Sequence, residues 1–203
     1  MILNRRYRGK IEKIPLPAQR GTLTYNGKAQ SPVWNNYDAA KLTIGGTTSS
    51  VNAGTFTATF TPKRGYCWQD GSRNAKSVSW SIQKPLQPIV VSKYLLTVSS
   101  SYPTNTMSID ITNCDKEVEI KTYESFKAPS GLTGWSYISN TSWGNIATIS
   151  FKEVNKIVTV TLERLTGVSM PSAARYNTSF YIICAESEKY GAQRIAVNIT
   201  ISK

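Results

Sequence analysis

From Thr55 to Thr61 the chain alternates without a break. Thr55, Thr57, Thr59 and Thr61 occupy one set of positions, and Phe56, Ala58 and Phe60 the other. Successive side chains of an extended strand point to opposite faces. A period of two therefore predicts a half-buried strand, with an apolar face inward and a hydroxyl face outward. The pattern returns along the chain. Val78, Trp80 and Ile82 alternate with serines, which places Trp80 in the core. Met107, Ile109 and Ile111 alternate with Ser108, Asp110 and Thr112. Val118 and Ile120 alternate with charged residues, and Val158, Val160 and Leu162 with threonines. Ile195, Val197, Ile199 and Ile201 form the inward set of a last strand. Phe180 to Ala185 is apolar on both faces, as a central strand would be.

In the first part of the chain the spacing predicts strands at 21–26, 31–34, 41–44, 55–61 and 77–83. Asn26-Gly27, Gly45-Gly46, Asn52-Ala53-Gly54 and Asp70-Gly71 punctuate them as turns. Many short strands with regular turn signals predict an all-β sandwich architecture. No segment reads as a helix, and Ser172-Ala173-Ala174-Arg175 offers one turn at most. Lys84-Pro85-Leu86-Gln87-Pro88 reads as a break between β-runs. The expected organisation is a basic arm at 1–13, a β-sandwich at 14–84, a linker at 85–88 and a second β-sandwich at 89–203. Each half is long enough to bury a core of its own.

The net charge of +12 is unevenly spread. Residues 1–20 hold six Lys/Arg against one Glu, and residues 21–84 hold seven against two Asp. Residues 85–203 hold eleven against nine Asp/Glu, so basicity concentrates at the front. Arg5, Arg6, Tyr7, Arg8, Lys10 and Lys13 make the arm a candidate docking element for an acidic partner. It lacks a nucleic-acid fold signature, and its aromatic interleaving is Tyr7 alone. Acidic protein is thus the expected contact, and nucleic acid is not. Solubilisation alone is the competing explanation of the charge.

Histidine is absent, which removes the commonest general base and metal ligand. Cys67, Cys114 and Cys184 are widely spaced and form no metal-ligand motif. Cys184 sits in an apolar run and reads as a buried thiol. A Cys114–Cys184 pairing stays open, with the reduced state preferred. There is no phosphate loop and no nucleophile elbow. Glu117 with Glu119, and Glu186 with Glu188, are the carboxylate pairs a glycoside hydrolase would need, but they read as solvated strand faces. The expectation is therefore a non-enzyme without cofactor or metal.

The aromatic residues supply the candidate contacts for a glycan or a protein. Tyr66, Trp68 and Asp70 lie in a glycine-bounded stretch; packing of both rings into the core is the competing reading and the preferred one. Trp34 reads as core and Tyr37 as partly exposed. Trp135, Tyr137 and Trp143 fall in a Gly/Ser/Asn-rich stretch and read as loop aromatics, which favours a ligand-binding role. One of the two tryptophans is also expected to pack the sandwich.

Four ordered blocks carry a resemblance. They are Leu23-Thr24-Tyr25-Asn26-Gly27-Lys28-Ala29-Gln30-Ser31-Pro32, Asn52 to Pro62, Gly65-Tyr66-Cys67-Trp68-Gln69-Asp70-Gly71, and Val78-Ser79-Trp80-Ser81-Ile82. On these, residues 14–84 resemble a bacterial immunoglobulin-like module found in surface proteins and in phage virion proteins. Residues 89–203 resemble immunoglobulin-like domains more loosely. Their Trp135–Trp143 segment, followed by Ser172 to Arg175, is similar to a carbohydrate-associated bacterial β-sandwich family. The resemblance implies two tandem immunoglobulin-like domains and brings no catalytic residues. It implies a virion protein that decorates a bacteriophage capsid or tail in many symmetric copies. Its partners would be capsid or tail proteins of the same particle and host-surface or mucus glycans. The N-terminus has no apolar stretch behind its charges, so no secretory signal is expected, and no run is long enough to span a bilayer. That favours assembly in the host cytoplasm over the alternative, a bacterial cell-surface adhesin fragment. A carbohydrate-active enzyme is the remote alternative.

Overall fold

The computed structural model describes residues 11–122, 126–129, 131–171 and 174–203. All regular structure among them is β. The chain divides into two compact units between Pro85 and Leu86. Arg5, Arg6, Tyr7, Arg8 and Lys10 of the basic arm, and Ser172 and Ala173 of the one-turn segment, lie outside the described residues.

The first unit contains β1 (Glu12–Ile14), β2 (Ala18–Arg20), β3 (Leu23–Thr24) and β4 (Val33–Asn35). It continues with β5 (Leu42–Gly46), β6 (Gly54–Pro62), β7 (Tyr66–Trp68) and β8 (Lys76–Gln83). Its main sheet has the order β3-β8-β6-β5, antiparallel except that β3 runs parallel to β8. Two short pairs, β1 with β7 and β2 with β4, accompany it. The alternation of β6 is realised as expected. Ala58 and Phe60 are buried, Phe56 is half-buried, and the threonines oppose serines of β8 on the outer face. Leu42, Trp68, Trp80, Ile82 and Ile14 complete the core. Trp34 stands edge-on to Phe60 at 4.9 Å between ring centroids. The two buried indoles keep hydrogen-bond partners, as buried tryptophans must. Trp80 Nε1 donates to the Thr47 carbonyl at 2.7 Å, and Trp68 Nε1 to the Asn74 carbonyl at 2.8 Å.

A side chain lengthens the main sheet. The Gln19 amide donates to the Ser81 carbonyl at 3.1 Å, and its oxygen accepts from the Ser81 N–H at 2.9 Å. That two-way exchange copies a backbone ladder rung beside the very short β3. Lys13, read from the sequence as part of a free arm, sits in β1 opposite Cys67. Backbone pairing with β7 builds this end of the basic segment into the unit.

The second unit contains β9 (Val90–Val91), β10 (Leu95–Val98), β11 (Thr104–Asp110), β12 (Val118–Thr122) and β13 (Gly134–Asn140). Then come β14 (Gly144–Val154), β15 (Ile157–Arg164), β16 (Arg175–Cys184) and β17 (Gln193–Ser202). They form a four-stranded sheet, β10-β17-β16-β12, and a five-stranded sheet, β13-β14-β15-β11-β9. Both contribute to one core, in which Phe180 meets Phe151 edge-on at 5.6 Å. The alternating sets at 107–109, 118–120, 158–162 and 195–201 all point into it. As in the first unit, an early strand closes a sheet by pairing parallel to the last one, here β10 with β17. β14 and β15 are joined by Asn155-Lys156, both at positive φ (52° and 64°). A two-residue loop with both residues left-handed matches the twist of a hairpin.

The segment 85–88 is not a free connection. Leu86 bridges Gly191, and the buried Gln87 donates from Nε2 to Asp115 Oδ1 and to the Ala185 carbonyl, each at 2.9 Å. The prolines marked the region as a break between β-runs, and the hydrogen bonding of Gln87 ties its later part into the second unit. Arg164 is also buried. It donates from Nε to the Ser202 carbonyl at 3.0 Å and from its terminal nitrogens to the Leu165 and Val168 carbonyls. A single side chain thereby ties the ends of β15 and β17.

Truncating Phe180 removes a fully buried ring at the centre of the second core. Phe180→Ala is expected to destabilise that unit by about 3–5 kcal/mol in urea melts. Thr159→Ala, on the outer face, is expected to stay within about 0.5 kcal/mol of the parent.

Candidate functional site

The residues singled out in the sequence fall into two separate groups, one in each unit. In the first unit, Trp68 is 1 % exposed and lies in the core, so it is no ligand platform. Its strand β7 turns it inward because Tyr66 and Trp68, two residues apart, share the face that packs on Phe60 and Trp80. Tyr66 is half-buried against the same cluster, with Lys41 Nζ 5.7 Å from its ring centroid. Lys41 is in turn held by Glu12 at 2.7 Å. Tyr37 is partly exposed, as expected, and rests on Phe60 at 5.6 Å. It borders a pocket of about 290 Å³ shared with Lys13, Asp38 and Lys41.

Asp70 is committed to its own turn rather than to a ligand. It accepts from Lys76 Nζ at 2.6 Å, from the Ser72 hydroxyl at 2.7 Å and from the Ser72 N–H at 2.8 Å. The Lys76 ammonium first, then Ser72, hold its carboxyl well below the usual carboxylate range. Lys76 also stands 5.7 Å from the Trp68 ring centroid, so one cation serves both the turn and the buried indole.

The second group differs. Trp135 and Tyr137 do not lie on a loop: they occupy alternate positions of β13, an edge strand of the five-stranded sheet. The Gly/Ser/Asn composition suggested a loop, but pairing with β14 overrides it. Ile138 faces the core, while Trp135 is 60 % and Tyr137 42 % exposed. Their rings meet edge-to-face, with centroids 4.9 Å apart and planes at 89°. Such a contact stiffens both rings without covering their outer faces. Trp143 is the tryptophan that packs: it is partly buried against the core in the turn between β13 and β14.

Pairing extends the aromatic edge into two rows across the sheet. Trp135 opposes Ser150, which opposes Thr161, which opposes Thr106. Tyr137 opposes Thr148, then Glu163, then Thr104. With strands about 4.8 Å apart, each row spans about 14 Å. The surface is an aromatic rim beside a field of hydroxyls with a single carboxylate in these rows. The hydroxyl residues of β14 were not recognised from sequence, although Thr148-Ile149-Ser150-Phe151 carries the same alternation as β6.

Backbone geometry sets where this rim begins. Gly134 has φ of 135°, and a Cβ there would stand 2.5 Å from Pro129 Cβ. A register shift between Ile138 and Ser139 interrupts the pairing of β13, which resumes with Ser139 opposite Asn145. Trp135 and Tyr137 thus lie between a glycine that admits the strand and a bulge that bends it.

Glu117, Glu119, Glu186 and Glu188 are exposed, and Glu119 pairs with Lys121 at 3.0 Å. Among the described residues no cluster of His, Cys, Asp and Glu has the makings of a metal site, and no helix is long and apolar enough to cross a membrane. No protein-family model matches the chain, and no curated protein matches it.

Lys76→Met is expected to raise the Asp70 pKa towards the ordinary value of about 3.9 in an NMR titration. Because the folded value is depressed, the turn's stabilisation is present above the unfolded pKa and is lost as pH falls through the folded one. In the Lys76→Met protein that acid-dependent loss should shrink. An unchanged Asp70 titration would show that Ser72 alone depresses it.

Proposed function

We propose that this chain is a non-enzymatic structural protein of a bacteriophage particle, made of two tandem immunoglobulin-like β-sandwich domains, and that it presents a glycan-contacting face. The observation that carries this reading is the exposed, mutually braced Trp135–Tyr137 pair beside rows of hydroxyls on β14, β15 and β11. Flat aromatic faces bind the C–H faces of a sugar ring, and hydroxyls and a carboxylate exchange hydrogen bonds with its hydroxyl groups. A protein core would leave such a polar field poorly satisfied, whereas a glycan matches it.

Support for the immunoglobulin-like reading comes from short antiparallel strands in both units. In the second unit two sheets lie over one core, with strand number and length in the range of such domains. The particle setting rests on the resemblance of residues 14–84 to virion modules. The basic arm, Arg5 to Lys10, would dock on acidic capsid or tail protein, and many copies in a symmetric lattice would turn a weak glycan contact into avid binding.

Two experiments divide the reading into its parts. A glycan array followed by titration of a bound glycan is expected to show binding that Trp135→Ala weakens at least about tenfold, or about 1.4 kcal/mol. Binding that survives both Trp135→Ala and Tyr137→Ala would remove this surface as the site. Gly134→Ala should weaken binding too, by displacing the start of β13. Mass spectrometry of purified particles is expected to find the chain in them, released at raised salt once Arg5, Arg6 and Arg8 are changed to Ser. Particles devoid of the chain would sink the virion setting and leave the glycan surface standing.

A further inference from the structure

Two thiols of the second unit lie against one another. Cys114 sits in the turn that follows β11, where its N–H donates to the Ile111 carbonyl at 3.1 Å. Cys184 ends β16 and stands in register with Val118, four residues beyond Cys114. Cys184 is fully buried, and its S–H donates to the Lys116 carbonyl at 3.6 Å. Cys114 packs against the core that holds Cys184 and lies two residues before Lys116, whose carbonyl Cys184 contacts, so the two thiols are neighbours. Both are free thiols.

Their surroundings differ in a way that assigns roles. Cys114 is only partly buried and lines a pocket of about 270 Å³ with Lys116, Glu117, Glu153 and Lys156. Cys184 has no surface of its own. Burial pushes the Cys114 thiol up to about 11 and the Cys184 thiol upward as well. The thiolate is the reactive form, so exchange at Cys114 is slow at neutral pH and quickens as pH rises. The third cysteine, Cys67, is buried in the first unit.

We propose that Cys114 and Cys184 are the site of an intramolecular disulfide, formed by exchange with a low-molecular-weight disulfide such as oxidised glutathione. Cys114 gives its proton to solvent, and its sulfur bonds to one sulfur of the small disulfide while the S–S bond of that molecule breaks. The other half leaves as a thiolate. Cys184 then loses its proton and attacks the Cys114 sulfur of the mixed disulfide, releasing the second small thiol. The protein gives up two electrons and two protons, and the small disulfide becomes two thiols. The new bond ties the turn after β11 to the end of β16 and closes the long chain segment between them, which restricts the unfolded chain and stabilises the unit. In the particle setting proposed above, the thiols would stay reduced in the host cytoplasm and close after release. That timing rests on the virion reading; the bond does not.

The full chain incubated with oxidised glutathione at mildly alkaline pH tests the site. Non-reducing peptide mapping is expected to find one linked pair, Cys114 with Cys184, with no glutathione retained and Cys67 still free. The urea midpoint of the second unit should rise and return to its starting value on addition of a reducing dithiol. Cys114→Ser, at a partly exposed position, should fold normally and show neither the linked pair nor the rise. A glutathione adduct that persists on Cys114 while Cys184 remains alkylatable after denaturation would overturn the proposal. So would a linked pair that forms only when the oxidant is added under denaturing conditions. The peptide map of the parent protein decides the question even if the variant is unstable.

Discussion

A strand can withdraw only every second side chain from water, and in this protein that half must do nearly all the stabilising. No helix among the described residues supplies an apolar face from outside the sheets. Each unit therefore depends on its inward sets meeting one another. In the first, Ala58 and Phe60 of β6 meet Trp80 and Ile82 of β8, with Trp34 and Tyr37 leaning on Phe60. In the second, the inner faces of two sheets close over Phe151, Phe180 and the aliphatic residues around them. Side chains add to what the ladders supply: Gln19 extends the main sheet of the first unit beside β3, and Arg164 of β15 ties the end of β17, a strand of the opposite sheet, in the second.

The same constraint shapes the outer faces. Threonine and serine fill them because both tolerate extended backbone and stay hydrated, and two lysines of the first unit are held by local carboxylates. Lys41 holds Glu12, and Lys76 holds Asp70 while lying near Trp68. Against that background Trp135 and Tyr137 stand out as large aromatics on an outer face beside neighbours that are nearly all hydroxyls. Nothing in the packing of the second unit requires them to be there, since Trp143 already supplies the packing tryptophan. Gly134 and the irregularity after Ile138 hold them in the open.

Most of the fold was legible because alternation is a local signal. The inward residues of β6, β8, β11, β12, β15 and β17 could be named from their spacing alone. The departures share a cause. Trp135 and Tyr137 read as loop residues because Gly, Ser and Asn dominate their neighbourhood, yet β14 was there to pair with them. Segment 85–88 read as a linker because of its prolines, yet Gln87 finds Asp115 and the Ala185 carbonyl far along the chain. Lys13 read as arm because of its charge, yet β1 pairs with β7. Asn155-Lys156 went unrecognised as a turn because Lys has no intrinsic preference for positive φ.

By itself, then, the sequence determined that the regular structure among the described residues is β, which residues face inward in most strands, and that histidine is absent. Those properties follow from side-chain period and residue type, which act over a few neighbours. The tertiary structure decided which aromatics remain in water, which cysteines meet, and which polar side chains are spent on turns and ladders. Trp68 and Trp135 look alike in sequence, each in a Gly-bearing stretch with a tyrosine two residues away. One is core and the other surface because β7 lies over the Phe60–Trp80 cluster while β13 lies at the rim of a sheet, and burial depends on partners that come from elsewhere in the chain.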